Sequence, residues 1–333
     1  MHSATLLITI LIVVLSLAFD FINGFHDTAT AVATTITTRA LKPKTAILLC
    51  AVFNFIGAFM GTAVAKTVGD DIVSHEFIPQ WAIVGVLVSC IIWNLLTWYF
   101  GIPSSSSHAL IGALIGGGIA YNHNIHVVQW ANVFDNVVVW LILGPLIGFI
   151  LGYIIMVALN WILRPFKPRL VNKIFQKLQI VASAFMALNH GGNDAQKSMG
   201  IITMALLSGG LITEFEVPTW VIACCAIAMA LGTSIGGKKI IKTMGSGMAK
   251  LTPVSGFAAQ MGAATSILGA TLFNAPVSTT QVITTTIMGV GASKNLKSVK
   301  WGVAKNIIWA WVLTIPLSAI ISGAIVEIMK IVM

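Results

Sequence analysis

The segment Trp81–Phe100 runs for twenty residues without one charged side chain. An α-helix needs ~20 mostly apolar residues to cross a bilayer, so this stretch alone moves the chain away from soluble folds. Other apolar runs follow the same plan, among them Thr5–Ile22, Thr45–Ala65, Val133–Leu163, Thr219–Ile235, Gly256–Phe273 and Ile307–Ile328. Only 9% of the residues are charged and 57% are hydrophobic, against about 25% charged in ordinary globular chains. No alternating strand pattern recurs, so helices must satisfy the backbone in lipid. The expected fold is an all-α polytopic membrane protein, embedded in the lipid bilayer of the cytoplasmic membrane.

The net charge of +9 does not point to nucleic acid, because the basic residues lie in short loops between spans. Such loops face the cytoplasm. That rule places residues 39–44, 164–177, 238–250 and 294–305 inside, and the acidic or neutral loops 67–80, 121–129 and 208–218 outside. The parity fits about ten crossings, or twelve with broken helices, and puts both termini outside. The N-terminus has no Lys or Arg before its apolar run, so no cleavable signal peptide is expected. Cys50, Cys90, Cys224 and Cys225 lie inside apolar runs without metal-ligand spacing and read as small buried hydrophobes.

The two halves resemble each other. Asn23–Asp27 (Asn-Gly-Phe-His-Asp) matches His190–Asp194 (His-Gly-Gly-Asn-Asp) at an offset of 167 residues. Gly61-Thr62 matches Gly232-Thr233, and Lys66–Gly69 matches Lys242–Gly245. Phe100 and Pro103 match Phe273 and Pro276 at an offset of 173. The division is residues 1–163 as a first repeat, 164–177 as a basic linker and 178–333 as a second repeat. The first copy enters from outside and the second from inside, so the repeats are expected to be inverted, a plan that puts broken helices and the binding site near the midplane.

Ionisable residues inside a membrane are costly and mark function. Asp27 and Asp194 form the leading pair. A bound Na⁺ or a proton would relieve their charge, and Asn23, Asn189 and Asn193 offer amide oxygens as hard ligands. The stretches Pro103–His108 and Pro276–Gln281 combine a proline with hydroxyls. A proline suits the first helical turn, whose unpaired NH groups attract anions. Ser104, Ser105, Ser106, Ser107, Ser278, Thr279 and Thr280 add donors, so the two stretches read as halves of one oxyanion cradle. His26, His108, Gln196 and Gln281 are candidates for orienting or proton relay, with Asp20 and Lys197 flanking. No resident cofactor is expected.

Together, Phe19–Ala29 (Phe-Asp-Phe-Ile-Asn-Gly-Phe-His-Asp-Thr-Ala), Gly191–Gly200 (Gly-Gly-Asn-Asp-Ala-Gln-Lys-Ser-Met-Gly) and Pro103–His108 resemble the inorganic phosphate transporter (PiT) family over nearly the whole chain. The resemblance implies a secondary transporter of inorganic phosphate, or of a neutral metal–phosphate complex, driven by Na⁺ or H⁺. It implies Asp27 and Asp194 as the signature aspartates. The family motif carries Asn three residues after the first of these, where this chain has Thr30, a hydroxyl in place of one amide ligand; the second repeat has Lys197 there. A homodimer is one arrangement of such a chain. The competing readings are a sulfate permease of the same family, an anion channel, and an intramembrane serine hydrolase using Ser104–His108.

Overall fold

The computed structural model describes residues 2–236, 240–242, 244 and 248–332, without the side chains of 2–4, 29 and 30. Lys238, Lys239 and the repeat positions Thr243 and Gly245 lie outside the described residues, as does the side chain of Thr30. The main helices are α1 (His2–Thr37), α2 (Pro43–Gly57), α3 (Ala63–Gly69), α4 (Gln80–Phe100) and α5 (Ser106–Asn122). After them come α6 (Trp130–Ile162), with a π turn at Phe134–Val138, and α7 (Pro168–Ser208). The last four are α8 (Thr219–Ile235), α9 (Pro253–Leu272), α10 (Thr279–Ala292) and α11 (Trp301–Val332). Among the described residues there are no strands, only one isolated bridge between Val73 and Val128.

Among the described residues, four helices are long and apolar enough to cross a membrane: Thr5–Thr37, Gln80–Phe100, Trp130–Ile162 and Trp301–Val332. Large apolar side chains are exposed along their outer faces, for example Leu7, Val14, Ile142, Ile154, Trp309 and Ile320. Buried positions hold Asp, Asn, Gln, Ser and Thr alongside apolar side chains. A surface of this kind is unstable in water and suited to lipid.

The expected breaks at Asn23–Asp27 and Asn189–Asp194 are absent. Both motifs sit inside continuous helices, α1 and α7. The polar side chains find partners on neighbouring helices, so the backbone has no need to unwind. Helix α7 also begins earlier than expected, at Pro168 in its first turn. Residues 168–177 of the basic connection are therefore helical, with Val171, Phe175 and Gln179 buried at four-residue intervals.

The interruptions fall at Gly101–Ser105 and at 273–278, and the two are built alike. Helix α4 ends with Gly101 at φ 69, and the Ile102 NH donates to the Thr97 carbonyl at 2.9 Å. Helix α9 is followed by Asn274 at φ 59, and the Ala275 NH donates to the Ala270 carbonyl at 3.0 Å. Both are left-handed helix stops, made with the two residue types that tolerate that conformation best. The chain then passes through Pro103 or Pro276 to an N-cap, Ser105 or Ser278, whose hydroxyl accepts from the NH of His108 or Gln281. The prolines therefore stand two residues before the caps, outside the helices, rather than in the first turn as the sequence suggested. Fixed φ keeps each tip extended where a helix would otherwise continue.

Thus α4–α5 and α9–α10 are two helical hairpins. The base of the first lies where Asn122 Nδ2 donates to the Phe77 carbonyl and Gln80 Nε2 donates to Thr9 Oγ1. The second hairpin starts near the other end of α1, where Gln260 Nε2 donates to Thr35 Oγ1. Thr9 and Thr35 are separated by roughly 39 Å along the helix, so the hairpins enter from opposite ends of α1. Helix α7 runs antiparallel to α1: Gln179 near its start meets Thr38, and Ala205 near its end meets Gln80.

Contacts recur in matched sets. Gly24 and Gly232 bring α1 against α8, while Gly191 and Gly57 bring α7 against α2. A Cβ on Gly232 would strike the Phe21 carbonyl and one on Gly57 the Leu188 carbonyl, and Leu188 lies 167 residues after Phe21. Gly57, not Gly61, therefore stands where Gly232 stands. Gly116 of α5 lies on Ala319 of α11 as Gly289 of α10 lies on Phe149 of α6. A further pair escaped the sequence comparison. Asn124 caps a short turn and Trp130 Nε1 donates to the Ile125 carbonyl; Asn295 and Trp301, with Leu296, repeat this geometry.

Leucine at Gly57 or Gly232 should prevent recovery of monodisperse protein on size exclusion in detergent, since backbone cannot yield as side chains do and the cost exceeds the ~1–3 kcal/mol of ordinary overpacking. Gly269 has nothing within 4 Å of an added Cβ, so Gly269→Ala should leave the melting temperature unchanged or higher. Ser105→Ala should cost about 1 kcal/mol of stability through the lost cap, read as a lower melting temperature.

Candidate substrate and cation site

The two hairpin tips meet head to head. Ser107 Oγ donates to the Val277 carbonyl at 2.9 Å, and Gln281 Nε2 lies 3.3 Å from His108 Nδ1. His108 and Gln281 are matched positions in the sequence comparison, at the offset of 173 that relates Pro103 to Pro276, and they touch each other there.

Asp27 and Asp194 lie against these tips, each on its own long helix and nearly inaccessible. Asp27 Oδ1 is 2.7 Å from His26 Nδ1 and accepts from Thr280 Oγ1 at 3.0 Å; its Oδ2 accepts from Ser106 Oγ at 3.2 Å. Asp194 Oδ2 accepts from Asn23 Nδ2 at 3.3 Å and from Thr279 Oγ1 at 3.4 Å. Asp194 Oδ1 accepts from Lys197 Nζ at 2.6 Å. Ser106 and Thr279 are matched residues, so each tip donates to the carboxylate of its own half, and Thr280 crosses to the other half. Each carboxylate thereby has hydroxyl donors from a helix start, where the first NH groups also lack helical partners.

The expected site residues divide into three groups. Asp27, Asp194, Asn23, Ser106, Thr279 and Thr280 converge directly. Ser104, Ser105, Ser107, Ser278, His26, His108 and Gln281 hold the tips and their contacts in place: Ser104 Oγ donates to Thr97 Oγ1 at 2.8 Å, and His26 Nε2 lies 3.2 Å from the same hydroxyl. The third group stands on the side of the second tip. Asn193 Nδ2 donates to Thr271 Oγ1 and to the Ala275 carbonyl. Gln196 Oε1 caps the start of α3 through the NH groups of Val64 and Ala65. Asn189 donates to its own helix at the Phe185 carbonyl. Asn189 and Gln196 also line a cavity of about 240 Å³ with Met60, Thr271 and Asn274.

Sequence reasoning passed over His190, Asn54, Thr97 and Thr233. His190 Nε2 is 3.4 Å from Asp194 Oδ2, and its Nδ1 is 3.1 Å from Asn54 Oδ1, which in turn belongs to an amide donating to Thr233 Oγ1 at 2.9 Å. The signal for His190 was available: it lies four residues before Asp194, on the same helix face.

Asp27, His190 and Asp194 each offer one ligand atom, all within 4.8 Å of one another. The buried amide oxygens Asn23 Oδ1 and Asn193 Oδ1 accept from no donor among the described residues. Buried carbonyl oxygens without donors are what a hard cation such as Na⁺ satisfies, so the chemistry of these two oxygens suits the expected cation, as does that of the Asp27 carboxylate. Asp194 fits less well, because one of its oxygens already holds an ammonium. His108 faces Gln281, not a serine; the imidazole nearest Ser104 is that of His26, 3.5 Å away, while the Ser104 hydroxyl donates to Thr97.

The profile of the Phosphate transporter family matches residues 23–322. A probable low-affinity inorganic phosphate transporter of Bacillus subtilis (strain 168) is 50% identical over 323 residues, covering 96% of each chain. One of Rhizobium meliloti (strain 1021) is 44% identical over 324 residues, again covering 96% of each. The solved structure of a sodium-dependent phosphate transporter shares the fold, with a TM-score of 0.88 at 23% identity, covering 98% of this chain and 100% of the other. These are transporters rather than enzymes, and the match runs from the Asn23 motif on α1 into α11: this chain belongs to the phosphate transporter family.

Proposed function

We propose that this protein imports inorganic phosphate across the cytoplasmic membrane by symport with a cation, Na⁺ or H⁺, through alternating access of two inverted repeats. The observation that carries the reading is the head-to-head meeting of two hydroxyl-bearing hairpin tips on a pair of buried carboxylates. Both membership of the family and the names of the Bacillus and Rhizobium relatives support phosphate as the anion. Antiparallel α1 and α7, and hairpins entering from opposite ends of α1, support the inverted repeat. The matched turns at Asn124 and Asn295 support the sidedness. They share one geometry, but the first carries His126 and Gln129 where the second carries Lys297 and Lys300. The Lys-bearing turn is assigned to the cytoplasm, which leaves both termini outside.

The hydroxyls link the two halves of the site. Ser106 and Thr280 have one proton each and donate it to Asp27. A cation or proton on Asp27 weakens its claim on those protons and frees them for an anion. Cation and phosphate therefore favour each other's binding, which is the requirement for symport. Phosphate near neutral pH keeps a P–OH and needs an acceptor, which the carboxylates supply; sulfate has no such need. The tips carry no Lys or Arg, which suits release and suits a phosphate whose charge is reduced by protonation or a bound divalent metal.

Proteoliposomes should accumulate labelled phosphate against its gradient when a Na⁺ or H⁺ gradient is imposed, with excess sulfate having no effect. Downhill flux alone would indicate a channel, and uptake blocked by sulfate would indicate the sulfate permease. Asp27→Asn should abolish gradient-driven uptake while the protein still folds. Thr280→Val and Ser106→Ala should each raise the KM for phosphate about 10-fold or more, as expected for a hydrogen bond to a charged group worth ~1.5–3 kcal/mol. An unchanged KM in both would move the anion elsewhere.

A further inference from the structure

The Lys197 ammonium is buried to 1% exposure and lies 2.6 Å from Asp194 Oδ1, one helical turn away. No substrate chemistry calls for it: it reaches a carboxylate, not a hairpin tip. A buried ammonium is retained only when a negative group holds it, and Asp194 does so here. The matched position in the first repeat is Thr30, which has no charge to offer Asp27. The two halves of the site are therefore alike in their carboxylates and hydroxyls and unlike in their countercharge.

Counting charges gives the consequence. With the buried Asp20 carboxyl protonated and the imidazoles of His26 and His190 neutral, Asp27 and Asp194 together bring two negative charges, and Lys197 returns one positive charge. One monovalent cation then neutralises the pair. Without the lysine, two would be needed to achieve the same in a low-dielectric interior.

We propose that Lys197 is a tethered substitute for a transported cation at Asp194, so that coupling passes through the Asp27 side alone and at most one Na⁺ accompanies each phosphate through this site. The inference rests on the symport reading above. It adds a specificity-determining residue to it: the chain supplies from its own helix a charge that would otherwise come from solution on every cycle. His190, 3.4 Å from Asp194 Oδ2, Asn23 and Thr279 also lie against that carboxylate.

The test uses the purified full-length chain in proteoliposomes with labelled Na⁺ and labelled phosphate. Phosphate accumulation by the wild type tests the symport reading; failure there leaves no transporter to assign. Given accumulation, the wild-type flux ratio of Na⁺ to phosphate should be one or zero, and a ratio of two overturns the proposal. Lys197→Gln should transport at least 10-fold more slowly at 1 mM Na⁺ (on the order of low-salt conditions) and recover at saturating Na⁺ or Li⁺, with the flux ratio raised by one. Lys197→Arg, which keeps the charge, should retain the wild-type ratio. A Lys197→Gln protein with wild-type cation dependence and ratio overturns the proposal, as does one that remains folded and inactive at saturating Na⁺. Should Lys197→Gln not fold, the wild-type ratio decides by itself.

Discussion

Everything in this molecule answers to the cost of keeping two carboxylates inside a membrane protein. Neither Asp27 nor Asp194 can turn to water, and neither helix that carries them unwinds to offer its backbone. Side chains of the same helices, His26 and Lys197, supply part of what they need, and helix starts with their hydroxyls supply the rest. Two hairpins therefore enter from opposite ends and present N-termini and hydroxyls at the same place. The left-handed stops at Gly101 and Asn274, the extended prolines and the serine caps are the local means of ending one helix and starting another within a few residues.

The same requirement explains the glycines. Helices α1 with α8 and α2 with α7 approach so closely that a side chain would meet backbone carbonyl oxygen. Close approach brings Asn54, Thr233 and His190 within reach of the carboxylate layer, where small residues replace the bulky apolar side chains of a soluble core. Large apolar residues are exposed on the outer surfaces while Asp, Asn, Ser and Thr are buried among apolar side chains, an arrangement suited to lipid.

Symmetry is carried by geometry more faithfully than by residue identity. Gly57 does the work of Gly232, Asn274 that of Gly101, and Gln281 that of His108. The halves are not identical, however. Lys197 gives one carboxylate a permanent partner, and the Lys-bearing turn at 295–301 differs in charge from its counterpart at 124–130 although the two fold alike. An exact repeat would have two equivalent carboxylates and no means of treating them differently.

By itself the sequence determined the environment, the helical class and the chemistry at stake. Long uncharged runs leave no other fold, and ionisable residues that persist within them must be functional, because their burial is costly wherever they end up. Asp27, Asp194 and both hydroxyl stretches were legible for that reason. What only the tertiary structure decided was who pairs with whom. Thr280 reaches Asp27 across 253 residues, and Asn23 reaches Asp194 across 171; no local periodicity encodes such contacts. For the same reason the polar motifs of α1 and α7 read as helix breaks from sequence alone. A sequence shows that polar groups need partners, but whether these come from the unwound backbone or from a neighbouring helix depends on packing, and here the neighbours supplied them.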